Sequence, residues 1–286
     1  QKGGERWNAA RAYLEGKPRP NLTVIADCAV LRVVFDGRRA AGVVVRADEV
    51  ETIIRARRQV VLSAGAYGSP QLLMCSGVGP AQHLKDVGVE VVLDSPDVGG
   101  NLQDHLDYTV ARLAKSRSLI GFTPLFVWQF FRAISRYKKE RRGLMTSNIS
   151  EAGGFIKSCP DLDRPDLQLH FCISVVDDHG RKRHLGRGFS VHVCGLRPKS
   201  RGTVRLASPD GTQAPLIDPR FLSHPDDVDT LMRGVRLAHK IVEAAAGDMI
   251  RLLSALKLFP EMLIGHSFGG KVVLQMTKAW SGGAAK

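Results

Sequence analysis

The residue patterns with chemical potential are one serine turn, one small-residue turn and a scatter of histidines and cysteines. Gly265-His266-Ser267-Phe268-Gly269 matches G-x-S-x-G, with the apolar strand Met262-Leu263-Ile264 before it and a helical pattern, Lys271 to Met276, after it. Such a strand–turn–helix is the setting of a nucleophile elbow, which exposes the serine hydroxyl. Activating that hydroxyl requires a histidine base oriented by a carboxylate. The 19 residues after Ser267 hold no Asp, Glu or His, so hydrolase activity within this chain is not expected. At Ser63-Ala64-Gly65-Ala66, small residues separate the apolar run Gln59-Val60-Val61-Leu62 from a helical pattern opened by Pro70. Small side chains there let a ribose or phosphate approach unpaired helix N–H groups, although a tight strand–helix turn needs glycine in any case.

The remaining reactive side chains form no ligand set. The five cysteines (28, 75, 159, 172 and 194) include no C-x-x-C pair, which fits a reducing, intracellular compartment. The nine histidines are dispersed; the nearest pairs are His179 with His184, and His184 with His192 flanking a strand. No carboxylate or thiolate completes a zinc site at the usual spacing, so no metal is expected.

Several elements position these groups. A short helix spans 5–17, and β-rich runs follow at 22–25, 29–35 and 41–45, separated by Asp27-Cys28 and Asp36-Gly37. Further strands are expected at 51–56 and 59–63, the latter apolar enough to be buried on both faces, and at 89–93. Beyond about residue 106 the texture changes. Residues 124–142 (PLFVWQFFRAISRYKKERR) read as an amphipathic helix, and 167–173, 188–196 and 202–206 alternate as antiparallel strands with one covered face. Pro225-Asp226-Asp227 caps a long helix from Val228 to about Ala246.

A net charge of +13 suits an anionic partner or a solvated basic surface. The basic residues are scattered except over Arg132 to Arg142, and no nucleic-acid motif accompanies them, so nucleic acid is not expected. That stretch fits peripheral membrane contact or, equally, a helix packing its aromatic stripe inward. No run of 18 apolar residues occurs, and the sequence begins without Met at what reads as an internal point of a longer polypeptide. A cytoplasmic or peripheral-membrane location is expected.

Residues 65–79 (GAYGSPQLLMCSGVG) resemble the second signature of the glucose–methanol–choline (GMC) oxidoreductases. Blocks with the same flavour follow in order: VGGNLQDH (98–105), SNISEAGGF (147–155), RPDLQLHF (164–171), and the stretches 177–208 and 215–238. The resemblance runs from residue 1 to about 245 and is strongest to choline dehydrogenase and bacterial aliphatic-alcohol relatives. Residues 247–286 resemble an α/β-hydrolase fragment instead.

The resemblance implies a mixed α/β and α+β fold, with an incomplete Rossmann-type FAD-binding domain over 1–106 and an antiparallel-sheet substrate domain over 107–246. It implies oxidation of a primary alcohol, choline or an aliphatic alcohol, to the aldehyde, with hydride passing to FAD and a histidine taking the hydroxyl proton. Val30 matches a valine whose backbone meets the adenine. Ser63, Ala64 and Gly65 match residues beside the adenosine, and Asn101 to His105 match a loop near the flavin. Glu151 and His170 fall on strands that enclose the substrate, where a glutamate suits a cationic alcohol and both residues equally suit structural roles. The G-x-G-x-x-G turn and the catalytic histidine with its His/Asn pair have no match, so the chain by itself is expected to hold FAD weakly and to be inactive. The alternatives are an α/β-hydrolase fragment and a non-enzymatic basic surface-binding module.

Overall fold

The computed structural model describes residues 2–16, 19–114, 119–176, 184–244 and 262–265. Two compact units result: Pro18–Asp104 with Pro198–His224, and Gln1–Lys17 with His105–Arg197 and Pro225–Lys286.

The first of these units opens with a three-stranded antiparallel sheet of β1 (Ala29–Asp36), β2 (Arg39–Ala47) and β3 (Val50–Arg55), in that order. β-Branched residues drive these strands, and Gly37 (φ +57°) turns the β1–β2 hairpin. Helix α2 (Gly65–Cys75) follows. Its last turn docks on β1, where the Val33 N–H donates to the buried Ser76 hydroxyl at 2.7 Å. β4 (Val78–Gly79) and β5 (Leu93–Asp94) pair in parallel around α3 (Ala81–Asp86), and β11 (Thr203–Arg205) pairs with β12 (Leu216–Asp218). Met74, Cys75, Leu84 and Leu206 form the core, with Val87, Val89, Val91 and Val98 against it.

Four local expectations for this unit are corrected. Residues 22–25 and 59–63 form no strand, and Val61 is 70% exposed. An apolar run becomes a strand only where another strand meets its N–H and C=O groups, and none does so among the described residues. The expected strand at 89–93 shrinks to Leu93–Asp94, the two residues that pair with β4, while Val89 and Val91 pack against the core. α2 begins five residues before Pro70, which lies inside the helix instead of opening it.

The other unit is a sheet backed by one helix. Its strands run β13 (Met262–Gly265), β8 (Ser150–Ile156), β9 (Leu167–Cys172), β10 (Gly186–Gly195) and β6 (Asp107–Leu113), all antiparallel, with β7 (Gly121–Phe122) paired to β10. α5 (Pro225–Ala244) starts with Pro225 and has Asp226 and Asp227 in its first turn, complementing the helix dipole. Leu231, Val235, Ala238 and Val242, spaced three or four apart, face Val110, Ile156, Leu167, Val191 and Val193 on the sheet. Gly234 permits this approach: a Cβ there would lie 2.7 Å from a Val193 methyl. The same unit carries α1 (Ala9–Tyr13), shorter than the expected 5–17, and α4 (Pro124–Glu140), followed by a 3₁₀ turn at Leu144–Thr146. Thr123 caps α4, its hydroxyl accepting from the Phe126 N–H. The strand expected before the serine turn exists as β13, antiparallel to β8; Ser267, the helix pattern after it and His179 lie outside the described residues.

Candidate functional site

The face of the large sheet opposite α5 is polar, and strand register determines which groups meet there. Side chains of a strand alternate between faces. Along β10, Phe189, Val191 and Val193 therefore point toward α5, and Ser190, His192 and Cys194 point away. Pairing then aligns Gly153, His170, His192 and Thr109 across β8, β9, β10 and β6. One row on either side holds Phe155, Gln168, Cys194 and Asp107, and Ser150, Cys172, Ser190 and Ala111. Two histidines on separate strands thus become direct neighbours.

His192 is held on both ring nitrogens. Nδ1 lies 2.6 Å from Asp107 Oδ2 and 3.1 Å from Thr109 Oγ1, and Nε2 lies 3.4 Å from Ser190 Oγ. The buried Ser190 hydroxyl donates to the Ser174 carbonyl at 3.0 Å and accepts from the Val176 N–H at 3.3 Å, leaving it to act as acceptor toward Nε2–H. Both nitrogens therefore face acceptors, the arrangement of an imidazolium. The Asp107 hydrogen bond, reinforced by one with Cys172, pushes the His192 pKa up to about 9. His170 moves the other way: burial depresses its pKa, and His192 and His105 depress it further against the opposing pull of Asp107. Burial beside Asp107 pushes the Cys194 thiol up to about 12, so it stays protonated and donates weakly to Asp107 Oδ1. The result is a fixed cation–carboxylate pair beside a neutral imidazole, which can donate and accept hydrogen bonds and hold a proton. Among the described residues, no group of three or more His, Cys, Asp or Glu is placed to hold a metal.

Glu151 sits at the bulge where β8 shifts register, and is 7% exposed. His105 belongs to this unit as well, with Nε2 2.9 Å from the Leu196 carbonyl oxygen. Asp107, Thr109 and Ser190 were not singled out from the sequence, and His192 and Cys194 were noted only among the dispersed histidines and cysteines. For Ser190, His192 and Cys194 the signal was the period-two alternation through 188–196, which identifies a strand but not its neighbours.

In the other unit, Ala66 and Pro70 on α2 share a cavity of about 370 Å³ with Gly99, Gly100, Asn101 and Leu102. Gly65 turns into α2 at φ +81°, a left-handed conformation that L side chains adopt only under strain. No side chain caps the helix start, so its first N–H groups remain open to a ligand. Val30 lies on β1 opposite Val45, and Ser63 and Ala64 lead into α2 with the Ala64 N–H donating to Ser69 Oγ at 3.1 Å. Asn101 lines the cavity; Val30, Ser63, Ala64 and Gly65 do not.

Comparison with known proteins gives this arrangement its context. Profiles of the GMC oxidoreductase family match residues 1–107 and 198–274, together more than half of the chain. The second match passes the boundary near 245 read from the sequence and overlaps the serine turn. An alcohol dehydrogenase [acceptor] of Pseudomonas putida is 43% identical over 247 residues, covering 85% of this chain and 45% of that protein. An oxygen-dependent choline dehydrogenase of Rhizobium meliloti strain 1021 is 38% identical over 250 residues, covering 87% and 45%. The chain thus spans about half the length of the curated relatives it matches. Among solved structures, formate oxidase superposes with a TM-score of 0.76 at 24% identity, over 97% of this chain and 51% of that one. Pyridoxine 4-oxidase from Mesorbium loti gives 0.70 at 26%, over 87% and 44%. Both the sequence blocks and the fold place the chain in one group: it belongs to the GMC oxidoreductase family.

Proposed function

We propose that this chain is part of an FAD-dependent oxidoreductase that converts a primary alcohol, choline or an aliphatic alcohol, to its aldehyde. The observation that carries the proposal is the row of His170, His192 and Thr109 on the face of the sheet opposite α5, with the buried Glu151 on the adjoining strand. His170 and Glu151 are the substrate-facing residues. His170, neutral at physiological pH, hydrogen-bonds the alcohol hydroxyl and orients it; Glu151 supplies the negative charge that a cationic alcohol such as choline requires. The division into a partial FAD-binding domain over 1–106, a substrate domain over 107–246 and a hydrolase-like segment over 247–286 is part of the same proposal.

The cavity at α2, lined by Gly99, Gly100 and Asn101, suits part of the FAD. It joins open helix N–H groups to a glycine turn, the combination that lets a ribose or phosphate approach backbone closely. Val30, Ser63, Ala64, Gly65, Asn101 and His105 are the residues proposed to hold the cofactor. FAD supplies the hydride acceptor; the residues of this chain bind, orient and exclude water. Peripheral membrane contact of Arg132–Arg142 also belongs to the proposal.

Steady-state oxidation of choline and of a medium-chain primary alcohol with an artificial electron acceptor tests it, using the polypeptide that carries this chain. His170→Ala is expected to lower kcat/KM at least tenfold with flavin content unchanged, and Glu151→Gln to raise KM for choline and not for the aliphatic alcohol. Unaltered kinetics in both variants would overturn the assignment.

A further inference from the structure

The apolar side of α4 does not pack inward. Only Ala133 on this helix is buried. Its outward stripe, spaced three or four apart, holds Val127, Trp128 and Phe131 in the first half and Ser135, Lys138 and Lys139 in the second. Trp128 is 57% and Phe131 66% exposed, unusual for aromatics on one contiguous patch. Arg132 lies over the Trp128 ring at 4.6 Å, so a cation is fixed at the edge of the aromatic surface. No acidic residue interrupts the stripe; Glu140 lies off it, bound to Arg136 at 2.9 Å. Beneath the same helix lies a cavity of about 350 Å³, with Ile120, Phe126 and Leu144 in its lining and Arg132 and Arg136 in its wall.

A buried core helix would turn these aromatics inward, and a solvated one would not carry them. An exposed patch with an apolar half and a polar half whose charges are basic matches the boundary between acyl chains and anionic headgroups. We infer that α4 is an interfacial helix that docks on an anionic lipid surface. Val127, Trp128 and Phe131 enter the acyl boundary, and Lys138 and Lys139 engage the headgroups. This deepens the peripheral contact proposed above and rests on that reading, but it is independent of the alcohol chemistry.

The test is co-sedimentation with vesicles of phosphatidylcholine alone, or with one third phosphatidylglycerol. Binding is expected to the anionic vesicles only and to be lost at high salt. Each cation removed is expected to weaken it about fivefold, the equivalent of about 1 kcal/mol. Lys138→Glu/Lys139→Glu should abolish anionic selectivity, Lys138→Arg/Lys139→Arg should keep it, and Trp128→Ser should weaken binding roughly tenfold or more. These positions are exposed, so urea unfolding should show every variant folded. Equal binding to both vesicle types, no binding, or variants that bind like the parent would overturn the inference. So would concentration-dependent self-association abolished by Trp128→Ser without lipid, which would make a second copy the occupant. Alcohol oxidation in detergent should be unaffected by these substitutions, which separates failure here from failure of the catalytic assignment.

Discussion

Asp107→Asn removes the charge that holds His192 and leaves its shape. In the folded chain the His192 pKa rises from 6.5 to about 9, chiefly through the hydrogen bond to Asp107. A pKa raised on folding stabilises the fold fully below the unfolded value near 6.5, and the contribution is lost as pH rises through about 9. At about 1.4 kcal/mol per unit the shift corresponds to at most about 3 kcal/mol. The Asp107 side chain is 33% exposed, and solvent screening there lowers the expected effect to about 1–2 kcal/mol. Urea unfolding of parent and variant at pH 6, 8 and 10 measures it. The variant should be less stable by about 1–2 kcal/mol at pH 6, by less at pH 8 and by little at pH 10. A proton-NMR titration of the imidazole C–H resonances should move the His192 midpoint down by more than one unit. A stability difference that is constant across pH, or that grows toward pH 10, would refute the ion-pair assignment.

Other substitutions probe the scaffold. Ser76→Ala removes the acceptor 2.7 Å from the Val33 N–H and should destabilise the protein by about 1–3 kcal/mol in urea unfolding. Leu167→Ala, at a fully buried position of the sheet–helix core, should cost about 2–5 kcal/mol by the same measurement. Gly99→Ala sets a side chain at φ +72°, against the Val204 carbonyl, and should lower stability by about 1–3 kcal/mol. A value near zero for any of these would contradict the packing or strain at that position.

Local pattern fixed much of the architecture in advance. The hairpins of β1, β2 and β3, the antiparallel strands β9 and β10 with one covered face, and α4 at 124–140 all follow from hydrophobic period and turn chemistry. So does the capped start of α5, and the signature over 65–79 located the turn into α2. These features depend on residues within a few positions of one another. Features that need distant residues were not legible. The run 59–63 looked like a doubly buried strand, yet burial depends on a partner strand that no local pattern contains. The aromatic side of α4 could have faced a core or a surface, because amphipathicity shows that a helix has two sides and not what covers either.

The polar row is the sharpest case. His170, His192 and Asp107 lie 22 and 85 residues apart along the chain in successive steps, and each by itself suits a structural role. Composition and spacing established that they exist and that 190, 192 and 194 share one side of a strand. Only the register of β6, β9 and β10 made them neighbours, because a slip of one residue in any pairing would send each side chain to the opposite face and leave His192 without its carboxylate.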